Sequence, residues 1–398
     1  MPQTSQTIRL GLLWHSMTSD NLGVGALTLA HIAILREAAA KLGLTPHFTI
    51  LGWKDPRPQY FKADDIEVVE LRMKDFIKPV GGLLSHLHRC DVVFDISAGD
   101  SFTDIYGTKR AGTMLAAKIL TFVARRPLIL APQTIGPFER GWARRMALCV
   151  IRRARVAAVR DDLSADFLRS LGYSGDLIAA SDVALRLPFE RAELPPSDKL
   201  RVGLNVSGLL FNGGYTGGNM FGLRDSYADT IRRLVANLAA RDDIDLHLVG
   251  HVISDATEVE DDYRVSQQLG EEFPGTVVAP KFNDPIEAKS YIAALDAFAG
   301  ARMHACIAAF SSGVPVLPMA YSRKFAGLFG ALGYETMADC REHSGDEIIS
   351  RFEALLANRE TVAAQMQQPL SRGLDRLARY EDAIGKVLTD ACGGSGTP

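Results

Sequence analysis

The feature that most constrains this chain is an alternation that runs through it twice, in which short apolar runs of strand length are separated by stretches with helical periodicity. In the first half IRLGLLWH (8–15) reads as a strand, and residues 25–42 place Leu27, Ala30, Ile34 and Ala38 on one helical face. Strands follow at HFTILGW, DVVFDIS, PLILAPQ, RVAAVR and DLIAAS, with helices predicted near 110–124, 139–153 and 163–171. Repeated β-α-β units imply a mainly parallel sheet covered on both faces. After SDVALRLP and the polar, proline-bearing stretch from Phe189 to Lys199, the pattern starts again at RVGLNVS and continues through IDLHLVG, GTVVAP, LDAFAGA and VPVLPMA. Two tandem α/β domains are therefore predicted, at 1–190 and 199–370. An amphipathic helix over 371–390 is expected to return to the first domain, and the tail 391–398 to be disordered. A length of 398 residues fits this division at about 150 residues per domain.

Composition removes several classes of function. The 44 basic residues are balanced by 47 acidic ones, for a net charge of −3, which argues against a general nucleic-acid binder. The nearest approach to a membrane span, Met114 to Val123, is interrupted by Lys118, so no integral membrane segment is expected. No secretion signal is visible at the start, and the cytoplasm is the default location. The five cysteines show neither CxxC nor Cys/His ligand spacing, which disfavours disulfides and a structural metal, and no other grouping looks like a metal site.

Open parallel sheets bind ligands at the carboxyl ends of their strands, where helix N-termini offer free N–H groups, and two such domains facing each other make a cleft. In the first strand exit, WHSMTSDNLGVGALT, Asn21, Gly23 and Gly25 form a loop suited to close backbone approach to a phosphate or sugar. The motif is not GxGxxG and no acidic residue closes the second strand in the dinucleotide position, so NAD is disfavoured; a purely conformational role for the glycines stays open. His15 lies after this strand. The second exit, DISAGDSFTDIYG, releases Asp100, Ser101 and Asp104 after the small residues Ser97, Ala98 and Gly99. Asp100 suits a base or a sugar-hydroxyl acceptor, and equally an N-cap. The third, PQTIGPF, presents Gln133 and Thr134 beside a Gly136-Pro137 turn.

The segment from Leu295 to Gly333 carries the most chemistry. Arg302 and His304 open one helix, and Tyr321, Ser322, Arg323 and Lys324 open the next. Two adjacent basic helix openings describe a doubly anionic ligand, and the imidazole adds a group able to move protons at neutral pH. A capping or surface role is the alternative for a lone histidine. His251, after IDLHLVG, is a further candidate for proton transfer.

NLGVGAL, DISAGDSFTDIYG, APQTIGPF, VRDDLSADFLRSLG, ASDVALRLP and ARMHACIAAFSSGVPVLPMAYSRKFAGL resemble, in order and spacing, the polysaccharide pyruvyl transferases over residues 8–333. The resemblance implies an α/β fold of two Rossmann-like domains facing a cleft, GT-B-like in arrangement. It implies phosphoenolpyruvate as co-substrate with no cofactor, and transfer of its pyruvate group to a sugar, glycan or lipid-linked saccharide, commonly as a cyclic ketal. Arg302-Met303-His304 matches the family's Arg-x-His element for donor binding and acid/base chemistry. On this reading His304, Arg302 and Asp100 are catalytic. Arg302, His304, Tyr321, Arg323, Lys324 and Asn205 hold the donor, the last standing where family members can carry an arginine. His15, Asn21, Gly23, Gly99, Ser101, Asp104 and Gln133 face the acceptor. A cytoplasmic enzyme is expected, at the inner membrane surface where the acceptor is lipid-linked. The chain departs from the family in carrying Val24 and Gly25 where an acidic residue often follows the first glycine. The rival readings are a GT-B glycosyltransferase or sugar-nucleotide epimerase, whose diphosphate would occupy the same helix openings, and a non-catalytic glycan-binding protein.

Overall fold

A computed structural model describes residues 6–393 of the chain, and Arg323 in its backbone only. It divides into two compact units, the first made of residues up to Ser19, Leu27–Arg186 and the chain from Gly373, the second of Asp20–Ala26 and Leu187–Arg372.

The first unit is built on seven strands: β1 (Gln6–Leu13), β2 (Leu44–Trp53), β3 (Ile66–Leu71), β4 (Val92–Asp95), β5 (Leu128–Gln133), β6 (Val156–Val159) and β7 (Ile178–Ala179). They pair in the order β3-β2-β1-β4-β5-β6-β7, with every pair parallel and Leu10 of β1 opposite Phe48 on one side and Val92 on the other. The helices are α1 (Leu22–Lys41), α2 (Leu83–His88), α3 (Thr108–Val123), α4 (Gly141–Arg153) and α5 (Asp162–Ser170). Strands β4 and β5 are buried at every residue, which is why they read as unbroken apolar runs rather than as alternating ones.

The second unit carries β8 (Leu200–Asn205), β9 (Ile244–Leu248), β10 (Val277–Val278), β11 (Ala297–Gly300), β12 (Val316–Ala320) and β13 (Ala338–Asp339), again all parallel, in the order β10-β9-β8-β11-β12-β13. Its helices are α6 (Gly208–Phe211), α7 (Tyr227–Ala239), α8 (Asp262–Glu272), α9 (Pro285–Ile292), α10 (Met303–Ser311), α11 (Arg323–Leu332) and α12 (Gly345–Ala357). The last helix, α13 (Arg359–Gly393), passes from the second unit to the first at Arg372.

Three sequence expectations are revised by these elements. The most membrane-like segment is α1, not Met114–Val123: it is long and apolar enough to span a bilayer by length and composition, but 78% of its most apolar window is buried inside the protein, as in a core helix. Burial is not confined to one face either, since Leu29, Ile32 and Leu35 are buried along with Leu27, Ala30 and Ile34. Helix α13 starts twelve residues before the predicted 371, at Arg359, because Pro369 is accommodated within it rather than ending it, and it continues through Ala391–Gly393. The rest of the expected tail, 394–398, lies outside the described residues.

A fully buried ion pair lies in the core of the first unit at the carboxyl end of β4. Lys118 Nζ lies 2.9 Å from Asp95 Oδ2 and donates to Ser97 Oγ at 2.8 Å, with the Phe102 ring centroid 4.2 Å away. Burial pulls the Lys118 pKa down, against the charge and hydrogen bond of Asp95. Ser97 in turn donates to Asp95 Oδ1, and Gln133 donates to the Asp95 carbonyl at 2.7 Å. This network anchors a turn in which Ser97, Ala98 and Gly99 all take positive φ, of 45°, 51° and 87°, a conformation disfavoured for the first two residues. Removing the cation alone leaves a buried carboxylate uncompensated. Lys118→Met is accordingly expected to lower stability by about 3–5 kcal/mol, and Lys118→Met with Asp95→Leu by much less. Equilibrium urea denaturation of the full chain checks this; equal losses in the single and double variants would contradict it.

Candidate functional site

In the second sheet the chain moves outward from β8 to β9 and β10, then returns to place β11, β12 and β13 on the other side. The strand order therefore reverses between β8 and β11, and the crevice outside their carboxyl ends is where such sheets take ligands. Asn205 is the last residue of β8, and Arg302 and His304 follow β11 as the N-cap and second residue of α10. Asn205 Oδ1 accepts the Arg302 backbone N–H at 2.9 Å, and its amide donates to the Val249 carbonyl at 2.9 Å. Asn205 thereby fixes the opening of α10 against the exits of β8 and β9.

The residue that organises this crevice is Asp262, at the start of α8, which has no exposed side-chain surface. Its Oδ1 accepts from Gly208 N–H at 2.8 Å, and its Oδ2 from the N–H groups of His251 and Val252 at 3.2 and 3.0 Å. Arg302 completes the set, with Nη2 2.8 Å and Nε 3.1 Å from Oδ1, and Nη2 also donates to the Glu260 carbonyl at 2.9 Å. Burial works against the Arg302 cation, but the Asp262 charge and hydrogen bonds outweigh it and raise the guanidinium pKa, so Arg302 stays charged. Nη1 carries no hydrogen bond among the described residues, which leaves one edge of a pre-oriented guanidinium for an anion.

His304 sits beside Gly23, and the expected Asn21–Gly25 loop is instead Asn21 followed by the first turn of α1, a segment that belongs to the second unit although β1 ends at Leu13. This segment is tied there by Leu22 N–H to the His251 carbonyl at 3.1 Å and Ile253 N–H to the Asp20 carbonyl at 2.9 Å. These bonds explain why residues expected on the first domain join the second. At Gly23 an added Cβ would lie 2.4 Å from His304 Nδ1 and 2.8 Å from Cγ, so glycine is required by the approach of the imidazole. His251 is 2% exposed, and its Nδ1 has no partner among the described residues. Burial, then the nearby His304 and Arg302, lower its pKa to about 3. Two imidazoles thus share the crevice, and His251 is held neutral.

The remaining expected donor residues open α11. Tyr321 precedes the Ser322 N-cap, packs edge-on against Phe221 at 5.1 Å and lies within electrostatic reach of Arg302. Lys324 is half-buried in the first turn; the Arg323 side chain lies outside what the structure describes. Sequence reasoning missed Asp262, which stands in the acidic run Glu258–Asp262, a pattern that looks like a solvated surface. No group of three or more His, Cys, Asp or Glu side chains able to hold a metal occurs among the described residues.

The other expected residues belong to the first unit, whose own strand order reverses between β1 and β4. His15 is buried, bonded through Nε2 to His31 Nδ1 at 2.9 Å and held near pKa 3 by burial, against a bond to the Leu13 carbonyl. His31 continues to the Tyr380 hydroxyl at 2.9 Å, so His15 is a core hydrogen-bonding residue. Ser101 accepts from Arg110, Asp104 accepts the Glu139 and Arg140 N–H groups at 2.8 Å, and Gln133 is spent on Asp95, so these three side chains hold loops in place. Asp100 is half-buried and accepts from the Tyr106 hydroxyl at 2.9 Å. Gly99 lies against Arg160, whose Nη1 would be 3.3 Å from an added Cβ; Arg160 is itself buried and paired with Asp182 at 2.9 Å.

The Gly23–His304 contact can be tested by a double-mutant cycle. Gly23→Ala is expected to lower stability by about 1–3 kcal/mol through overpacking, and His304→Ala to relieve most of that, giving a coupling of at least about 0.5 kcal/mol in urea denaturation. Additive effects would mean that the two residues do not meet.

With this geometry in hand, known proteins are informative. A curated relative, the amylovoran biosynthesis protein AmsJ of Erwinia amylovora, is 21% identical over 326 residues, covering 76% of this chain and 72% of that protein. Among solved structures, the UDP-GlcNAc 2-epimerase of Neisseria meningitidis bound to UDP-GlcNAc superposes with a TM-score of 0.57 at 13% identity, over 97% of this chain and 99% of the other. The calicheamicin glycosyltransferase CalG4 gives 0.50 at 14% identity, over all of both chains. At such identities these likenesses establish the fold, two parallel-sheet α/β domains of GT-B type. The family profile described as polysaccharide pyruvyl transferase matches residues 33–323, a span that includes Asn205, Asp262, Arg302 and His304. The chain is a transferase and belongs to the polysaccharide pyruvyl transferase family.

Proposed function

We propose that this enzyme transfers the pyruvate group of phosphoenolpyruvate to a sugar of a polysaccharide or glycan precursor, as a cyclic ketal, in the cytoplasm. The observation that carries the reading is the pairing of Arg302 and His304 at the opening of α10, with one guanidinium edge available and a second basic helix opening at α11. Phosphoenolpyruvate brings a carboxylate and a phosphate, which suit a guanidinium edge, the Lys324 ammonium and free helix N–H groups. The name of the Erwinia relative points to the same setting, the biosynthesis of a polysaccharide.

The chemistry divides into two steps. In the first, the methylene carbon of phosphoenolpyruvate gains a proton while a sugar hydroxyl oxygen bonds to the neighbouring carbon and loses its own proton. In the second, another hydroxyl of the same sugar attacks that carbon, the carbon–oxygen bond to phosphate breaks, and inorganic phosphate and a proton leave. One proton enters the carbon and two leave the hydroxyls, so the reaction balances with phosphoenolpyruvate as co-substrate and no added cofactor. His304 is assigned as the acid that protonates the methylene, and Asp100 as the base for the hydroxyl. Asp262 acts through Arg302, holding its Nε and Nη2 so that Nη1 faces the donor.

The likeness to a UDP-sugar epimerase favours a second reading, in which a nucleoside diphosphate occupies the same helix openings. Incubation with phosphoenolpyruvate and a panel of glycans and lipid-linked sugars, followed by mass spectrometry and phosphate release, separates the two. A pyruvylated product is expected. His304→Gln should lower turnover about 10²- to 10⁴-fold with phosphoenolpyruvate affinity changed much less. Near-normal turnover in that variant would remove the assignment to His304, and binding of UDP in place of phosphoenolpyruvate would replace the reading.

A further inference from the structure

The most conspicuous surface feature lies away from the second unit's crevice, in the loop between β3 and α2. Ile77 is 86% exposed and Val80 79%, with Met73 also exposed beside them. Branched apolar side chains held this far into water lose the stabilisation that burial gives, and a cluster of them marks an interaction site rather than scatter.

The loop is built to hold them there. Residues Met73–Phe76 form a 3-10 turn in which Asp75 accepts the Arg72 N–H at 2.8 Å, and Ile77 N–H closes on the Lys74 carbonyl at 3.3 Å. Farther on, Gly81 N–H donates to Ser85 Oγ at 3.1 Å. An added Cβ at Gly82 would lie 2.4 Å from the Lys78 carbonyl and 2.6 Å from that of Asp75, so only glycine lets the loop close on itself. These bonds brace the turn from within while the apolar tips are exposed.

Charge indicates what covers them. Arg72, Lys74 and Lys78 alternate with the apolar residues and are exposed, and the single acid between Arg72 and Val80, Asp75, is occupied by the Arg72 N–H. Behind the loop Phe76 packs with Trp14 and Trp53, at ring distances of 6.2 and 5.9 Å. Trp53 is 43% exposed and is followed by Lys54. Apolar tips, flanking cations and a half-exposed tryptophan are the chemistry of insertion at the surface of an anionic bilayer. The loop follows β3 and Trp53 ends β2, so both lie at the carboxyl ends of the first unit's strands.

We propose that the Arg72–Val80 loop, with Trp53, docks the first unit on an anionic lipid bilayer, tips inserted and lysines on the headgroups. Such docking brings the strand exits of that unit to the membrane, where a lipid-linked saccharide presents its sugar. The docking itself does not depend on the pyruvyl-transfer reading, because it is read by lipid binding alone.

Flotation of the full-length protein with vesicles of phosphatidylcholine, or of phosphatidylcholine mixed with phosphatidylglycerol, tests it. Wild type is expected to float with the anionic vesicles and to be released by salt. Ile77→Ser with Val80→Ser should weaken binding at least tenfold, and Lys74→Ala and Lys78→Ala by about fivefold each. These side chains are exposed, so unchanged thermal unfolding and phosphoenolpyruvate binding are expected in all variants. Absence of vesicle binding by wild type would overturn the proposal. So would binding that survives the loop substitutions but is lost in Trp142→Ser with Arg145→Ala, which would move the contact to the arginine-rich outer face of α4. A wild-type dimer dispersed by Ile77→Ser and Val80→Ser, without lipid binding, would overturn it in favour of a second copy of the chain.

Discussion

The second unit depends on one buried carboxylate. Asp262 accepts hydrogen bonds from Gly208, after β8, from His251 and Val252, after β9, and from Arg302, after β11. Three strand exits that flank the reversal of strand order are thereby referred to a single point. An ion pair of this kind is weak evidence for stability, since desolvation offsets much of the attraction. Its effect here is positional: the backbone N–H groups fix the carboxylate, and the carboxylate fixes the Nε and Nη2 nitrogens of the guanidinium. Asn205 contributes from the other side by holding the first N–H of the α10 opening.

The first unit solves a related problem with different parts. There a Lys118–Asp95 pair supports a left-handed turn at the exit of β4, and Asp104 pins the chain entering α4 through two backbone N–H groups. In the first unit left-handed backbone and a buried ion pair meet at the carboxyl end of β4, and in the second unit the buried Asp262 carboxylate serves the exits of β8, β9 and β11. The His15–His31–Tyr380 chain is a further buried polar line, which ties the start of the fold to its last helix within the first unit.

The architecture was legible in the sequence because parallel strands covered on both faces leave continuous apolar runs, and the helices between them begin and end within a few residues of their predicted limits. The sequence reading of α1 as one-sided rests on Leu27, Ala30, Ile34 and Ala38, spaced three or four apart, whereas Thr28, Leu29, His31 and Ile32 on other sides are also buried. Arg302 and His304 were legible because they stand two residues apart just after a strand. Their partners were not: Asn205 is 97 residues from Arg302 and Asp262 is 40, and no local pattern separates Asp262 from the exposed acids beside it. Gly23 could be recognised as a close-approach glycine, but what approaches it is the His304 ring rather than a ligand. Ser101, Asp104 and Gln133 looked like ligand-facing polar residues because strand exits usually are, and the structure uses them to satisfy loop backbone and a buried carboxylate.

The most direct test of the account is a crystal structure of the enzyme with bound phosphoenolpyruvate. The account predicts the donor at the carboxyl ends of β8 and β11, one of its anionic groups within hydrogen-bond distance of Arg302 Nη1 and its methylene carbon facing the His304 imidazole, with the Arg302–Asp262 pair unbroken. Phosphoenolpyruvate bound away from Arg302, or a guanidinium that leaves Asp262 to reach it, would contradict the claim that Asp262 presets the donor site.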